Sequence, residues 1–273
     1  MIKALIIAHY HVKGLVRDDT LELLQQLDKQ FQKIIFVSTN LQESEKAKLP
    51  KSVDIFVREN IGYDFYSYRL GLLTLKENIG LWKNLEFVVI MNTSFVCFNT
   101  SKLIEHYFET LDQNHFEAIG LIKSKLIKPH LQSYLFSLSP KVLHNLRFCD
   151  WWESMTPISD RAEVIMQLEI GFSQMLRQEN ISLKGIYERP LFTKVISALQ
   201  AGPFKLLKIL KIRSYKKIRN IMFADFYEIY EQFGIVKIEL LQKNTFDQDI
   251  SGFVEHLNSS PKEKHLYQQA LNN

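Results

Sequence analysis

Short apolar runs alternate with helical patterns through the first half of the chain, and no other feature constrains its fold as strongly. Lys3–Ala8, Lys33–Ser38, Val53–Val57, Glu86–Met91 and Glu117–Ile122 are near-continuous apolar segments, the signature of strands covered on both faces. Between them, Val16–Phe31 places Leu21, Leu24, Leu27 and Phe31 at three- and four-residue spacing. The segment from Gly62 to Asn78 is helical by the same pattern, with Gly80 as its stop, and Asn99 or Thr100 caps a further helix running to about Leu111. Strands separated by helices predict a mostly parallel sheet with right-handed crossovers.

The second half reads differently. Leu131–Leu138 is extended, and Ser139-Pro140 opens a helix with proline at its first position. A long helix begins at Ser159 or Asp160 and reaches about Gln178, and Ser182–Tyr187 is a last strand. From Leu191 onward the pattern is helical, broken at Gly202-Pro203, with no strand expected; Ser260 caps a terminal helix that Pro261 opens. The chain thus divides into an α/β region, residues 1–190, and a helical C-terminal extension, residues 191–273.

Charge is unevenly placed. The 273 residues carry 34 Lys and Arg against 30 Asp and Glu, a net +4. Seven of the basic residues (Lys205, Lys208, Lys211, Arg213, Lys216, Lys217 and Arg219) stand in one strip without an acidic neighbour, and the remainder carries −3. Lys205, Lys208 and Lys211 share a helical face opposite Leu206, Leu207, Ile209 and Leu210, the pattern either of a core-packing helix with a solvated face or of an interfacial helix on an anionic membrane surface. There each basic residue contributes about 1 kcal/mol. The strip is interleaved with aliphatic rather than aromatic residues, so nucleic acid is not an expected partner. Two cysteines, Cys97 and Cys149, make neither a disulfide framework nor a zinc cluster and point to a reducing cytoplasm. The opening MIKALIIAHYHVKG reads as a strand, not a signal peptide, and the uncharged stretch Phe87–Ser101 is too short to span a bilayer. The expected location is cytoplasmic, with the basic strip against an anionic membrane surface.

In an open parallel sheet, ligands bind beyond the carboxyl ends of the strands. After the third strand, Asn60 and Gly62 suit a tight turn that lets a ligand approach the backbone, and Asp64 either caps the following helix or faces that ligand. The fourth strand ends in Met91-Asn92-Thr93-Ser94, where two carboxylates would suit Mg²⁺ or Mn²⁺ but neutral oxygens bind such ions weakly. His130 and Gln132 share a strand face, and Glu169 flanks the apolar stripe of its helix, either as a general base or as a solvated side chain. His9-Tyr10-His11 lacks an acidic or Cys partner, so His9 is read as a ligand-contacting loop residue and no metal ligand is assigned. Asp247-x-Asp249 is read as a loop.

Together, Arg58-Glu59-Asn60-Ile61-Gly62-Tyr63-Asp64-Phe65, Gly71-Leu72, Met91-Asn92-Thr93-Ser94, His130-Leu131-Gln132-Ser133-Tyr134 and Glu169-Ile170-Gly171-Phe172-Ser173 resemble the rhamnan-synthesis F family of bacterial glycan enzymes. The resemblance runs from Lys3 to Tyr187 and implies a GT-A-like, Rossmann-like glycosyltransferase that uses a nucleotide-diphosphate sugar and a glycan or lipid-linked acceptor. It implies His9, Asn60, Gly62, Asp64, Arg69, Asn92 and Ser94 on the nucleotide-sugar side, His130 and Gln132 on the acceptor side, and Glu169 as the base of an inverting transfer. The family usually reads Asn-Asp-Ser where this chain has Asn92-Thr93-Ser94, so the carboxylate that would recruit a divalent cation is missing. A non-catalytic, transferase-like binding subunit is the alternative expectation.

Overall fold

The computed structural model describes residues 2–189, 220–245 and 247–272. The basic strip from Lys205 to Arg219 lies outside the described residues, except that Asn220 follows it directly. The strands are β1 (Ile2–His9), β2 (Lys33–Ser38), β3 (Val53–Val57), β4 (Leu85–Asn92), β5 (Phe95–Cys97) and β6 (Ala118–Gly120). They continue with β7 (Lys123–Ser124), β8 (His130–Leu131), β9 (Leu135–Leu138), β10 (Leu183–Gly185) and β11 (Ile235–Lys237).

Seven strands form the central sheet in the order β10-β6-β9-β4-β1-β2-β3. Parallel ladders join β4, β1, β2 and β3, whereas β9 runs antiparallel between β4 and β6. The expected mostly parallel, Rossmann-like sheet flanked by helices is therefore what the chain forms. Its apolar runs look continuous because both faces are covered, yet each strand still alternates. Leu5, Ile7, Ile34, Phe36, Val89 and Met91 face one core layer, and Ala4, Ile6, Ile35, Val37, Val88 and Ile90 face the other. The Tyr63–Glu77 helix packs on the second face so closely that a Cβ on Gly71 would stand 2.5 Å from Ile6 Cγ2.

Three local expectations are corrected. Gly80 does not stop a helix; it sits inside a short one, Ile79–Lys83, that Asn78 caps. Leu131–Leu138 is not one strand, because a turn at Ser133-Tyr134 separates β8 from β9. The C-terminal segment is not all helix, since β11 pairs antiparallel with β5, setting Lys237 opposite Phe95. The described residues of that segment pack on the sheet. Met222, Phe223, Ile229, Phe233, Ile235, Phe253, Leu257 and Leu266 are buried in the same core layer as β1 and β4. Arg189 Nε and Nη2 hold the buried Asp225 at 2.7 and 2.8 Å.

Candidate functional site

β1 leads to β2 and β3 on one side and is flanked by β4 on the other, so the strand order reverses between β1 and β4. The carboxyl ends of these two strands frame the crevice where α/β sheets hold ligands. Parity decides what enters it. Asn92 shares the face of Val88 and Ile90, and therefore meets the helix that packs there. Its Nδ2 donates to Asp64 Oδ2 at 2.7 Å. Its Oδ1 accepts from Ser94 N at 3.1 Å and from Ser94 Oγ at 2.5 Å. Lys237 Nζ in turn donates to Ser94 Oγ at 2.6 Å and lies 4.2 Å from the centre of the Tyr134 ring. One directed chain of hydrogen bonds thus runs from an ammonium to a carboxylate, Lys237 to Ser94 to Asn92 to Asp64.

Asp64 is not a helix cap. Gly62, at φ +68°, is the N-cap, and a Cβ there would meet the Tyr66 ring at 2.9 Å. Arg58 shapes this turn by donating to the carbonyls of Glu59, Ile61 and Tyr63, and to Ser67 Oγ. Burial pushes the Asp64 carboxyl above the usual range, against the opposing pull of Lys237, Asn92 and Arg58. Burial lowers the Lys237 ammonium to about 8, while Glu169, Asp64 and Glu239 hold its proton and Arg161 opposes them.

Glu169 reaches the same centre from another element. It lies in a π-helical stretch, Val164–Ile170, that runs into the Gly171–Gln178 helix; such wide turns recur at functional sites. Glu169 Oε2 accepts from Ser133 N at 2.9 Å and from Ser133 Oγ, while Ser173 Oγ accepts from Leu131 N at 3.0 Å. His130 Nδ1 donates to Lys128 O at 2.8 Å, which leaves Nε2 facing Glu169 Oε1 at 3.5 Å. Gln132 Oε1 is buried without a hydrogen-bond partner, and Tyr68 Oη donates to Ser133 O at 2.8 Å.

The structure therefore brings together Asp64, Asn92, Ser94, His130 and Glu169. Gln132 is the next residue but one after His130, although the shared strand face expected for the two is lost with the strand itself. Asn60 is exposed on the turn before Gly62. Arg69 points elsewhere: it donates to Trp152 O and Glu153 O at the end of the Leu146–Glu153 helix, at 2.9 and 3.0 Å. His9 is committed within the protein. Its Nε2 donates to Leu15 O at 3.0 Å, its Nδ1 lies 2.8 Å from Ser38 Oγ, and its ring packs on Phe36. Sequence reasoning missed Lys237 and Ser133. The signal for Lys237 was a lone lysine inside Gly234-Ile235-Val236-Lys237-Ile238.

The His9 ring carries a pH prediction. Desolvation lowers its pKa from 6.5 to about 4, with the Leu15 carbonyl opposing. The unfolded chain binds the proton first, so stability from this group is complete above pH 6.5 and falls as pH drops toward 4, by about 3 kcal/mol. Urea unfolding between pH 7 and 4 should show that loss, and His9→Asn should flatten the slope. Equal slopes in both proteins would rule His9 out as its source.

No group of three or more His, Cys, Asp and Glu side chains among the described residues is arranged to hold a metal. At the end of β4 the Asn92 oxygen is already used by Ser94, and an ammonium stands on the serine. Mg²⁺ and Mn²⁺ seek several free hard oxygens, generally with carboxylates among them, so these residues do not fit a divalent cation. No helix of the described residues is long and apolar enough to cross a membrane.

The sheet order and this cluster make this an open α/β protein with charged side chains gathered at its switch point. The chain belongs to the rhamnan synthesis protein F family, whose profile matches residues 34–195. An uncharacterized protein, y4gN, of Sinorhizobium fredii (strain NBRC 101917 / NGR234) is 30% identical over 227 residues, 81% of this chain and 54% of the relative. The chain thus spans about half the length of the curated relative it matches. Among solved structures it is similar to glucosyl-3-phosphoglycerate synthase from Mycobacterium tuberculosis, with a TM-score of 0.42, 9% identity, and coverage of 76% of this chain and 79% of that one. It is also similar to a 4-diphosphocytidyl-2C-methyl-D-erythritol synthase, with a TM-score of 0.38, 12% identity, and coverage of 67% and 87%.

Proposed function

We propose that the chain is a GT-A-like glycosyltransferase that moves a sugar, with rhamnose as the candidate, from a nucleotide-diphosphate donor to a bacterial surface-glycan or lipid-linked acceptor. The observation that carries this reading is the convergence of Asp64, Glu169 and Lys237 on the switch point between β1 and β4 in a member of this family. Glu169 takes the proton of the acceptor hydroxyl as its oxygen attacks the anomeric carbon. The bond from that carbon to the diphosphate breaks on the opposite face, and configuration inverts. Asn60, Gly62 and Asp64 line the nucleoside side, Asn92 and Ser94 the diphosphate side, and His130 and Gln132 the acceptor side. The unpartnered Gln132 oxygen is suited to receive a sugar hydroxyl.

A lipid-linked acceptor would place the chain at the inner face of the membrane, which the basic strip Lys205–Arg219 supports by its charge alone. Thermal melting with UDP-, dTDP- and GDP-sugars tests the donor class. A ligand at a hundred times its Kd stabilises a protein by about 2.7 kcal/mol, so one nucleotide class should raise Tm by several degrees. A flat response across all three classes would sink the transferase reading.

A further inference from the structure

We propose that the Lys237 ammonium stands in place of a divalent cation and holds the donor's diphosphate at the end of β4, so that nucleotide binding needs no metal ion. The proposal rests on the transferase reading and names the group that carries its leaving-group charge.

Three observations lead to it. First, the end of β4 offers no carboxylate of its own, and Thr93 is turned away: its Oγ1 takes Tyr10 N at 3.4 Å and its main chain is tied to Ala8 and Arg17. Second, Lys237 occupies the space beside Asn92 and Ser94, with Nζ 2.6 Å from Ser94 Oγ. A divalent cation there would meet a like charge and neutral oxygens already in use. Third, the ammonium has three N–H donors, and Ser94 Oγ takes one. The Tyr134 ring covers another side at 4.2 Å, an arrangement that favours the cation without accepting a conventional hydrogen bond. Donors left over on a cation in a crevice call for an anionic acceptor. The charged groups around it are Glu169, Asp64 and Glu239, with Arg161 beyond. Asp64 is held back by Asn92 and Glu169 by Ser133, which leaves the donor that neither Ser94 nor the Tyr134 ring takes for phosphate oxygens.

During transfer the electron pair of the broken bond goes to the diphosphate oxygen, which gains one negative charge while the acceptor proton passes to Glu169. A fixed ammonium stabilises that charge where it develops. Register fixes the lysine: Lys237 pairs with Phe95, two residues past Thr93, on the short β5–β11 ladder.

Calorimetric titration with UDP, dTDP and GDP, each in EDTA and in Mn²⁺, tests the proposal. The diphosphate that binds wild type should do so with a Kd in EDTA within about threefold of that in Mn²⁺. Lys237→Met should weaken it by about tenfold to a hundredfold, the worth of a charge-assisted bond, and Lys237→Arg should recover most of the loss. Far-UV circular dichroism and melting check that each variant folds, and the wild-type metal comparison stands without them. Binding that requires Mn²⁺, or a folded Lys237→Met that binds like wild type, would overturn the lysine's role and leave the transferase reading intact. No diphosphate bound under any condition would overturn both.

Discussion

Glu169→Gln is expected to lower sugar transfer by about 10²- to 10⁴-fold, the usual contribution of a positioned general base, while leaving nucleoside diphosphate affinity within about threefold. The substitution is nearly isosteric. A glutamine oxygen can still accept from Ser133 N, so the contact between the π-helical stretch and the Ser133 turn survives. What is lost is the capacity to take a proton. Ser133→Ala should have a smaller effect, because it removes one donor to the carboxylate and leaves the backbone N–H in place. Turnover and titration calorimetry on the same preparations make the check. Wild-type turnover in Glu169→Gln would remove Glu169 from the chemistry, and a parallel loss of nucleotide affinity would make it a structural residue instead.

Period-two and period-3.6 patterns made the sheet and its helices readable, since they record which face each residue buries. The same parity explains part of the site. Asn92 continues the face of Val88 and Ile90, and His9 continues that of Leu5 and Ile7, which sends its ring against Phe36 rather than into the crevice. Helical geometry also separates Asp64 from Arg69. Five residues at about 100° each place them roughly 140° apart, so one faces Asn92 while the other ties down the Leu146–Glu153 helix. Lys237 was beyond such reasoning. It reaches the site through a three-residue ladder between segments about 140 residues apart, and strand pairs that short leave no periodicity to read. Ser133 was hidden for a related reason, because the turn that aims it interrupts what looked like one extended segment.

The same short ladder depends on a buried pair that the sequence did not advertise, and Asp19→Ala should expose that dependence. Arg17 Nε and Nη2 donate to the Asp19 carboxylate at 2.9 and 3.3 Å, and the two side chains are only 4% and 2% exposed. The rest of the guanidinium holds Thr93 O at 3.1 Å and Phe95 O at 2.7 Å, and Asp19 Oδ2 accepts from Cys97 N at 2.8 Å. Every second residue past β4 is thereby fixed to one ion pair. Removing the carboxylate strands a buried cation and orphans the Cys97 N–H, a loss of about 3–5 kcal/mol. Adding Arg17→Met should cost less than the two single changes together, since the stranded charge disappears with its partner. Denaturant unfolding of the two single variants and the double variant measures this coupling. Because Phe95 is the ladder partner of Lys237, Asp19→Ala should also weaken nucleoside diphosphate binding at temperatures where the variant is still folded. A stability within 1 kcal/mol of wild type would mean that the β5–β11 ladder holds Lys237 in place without the ion pair beneath it.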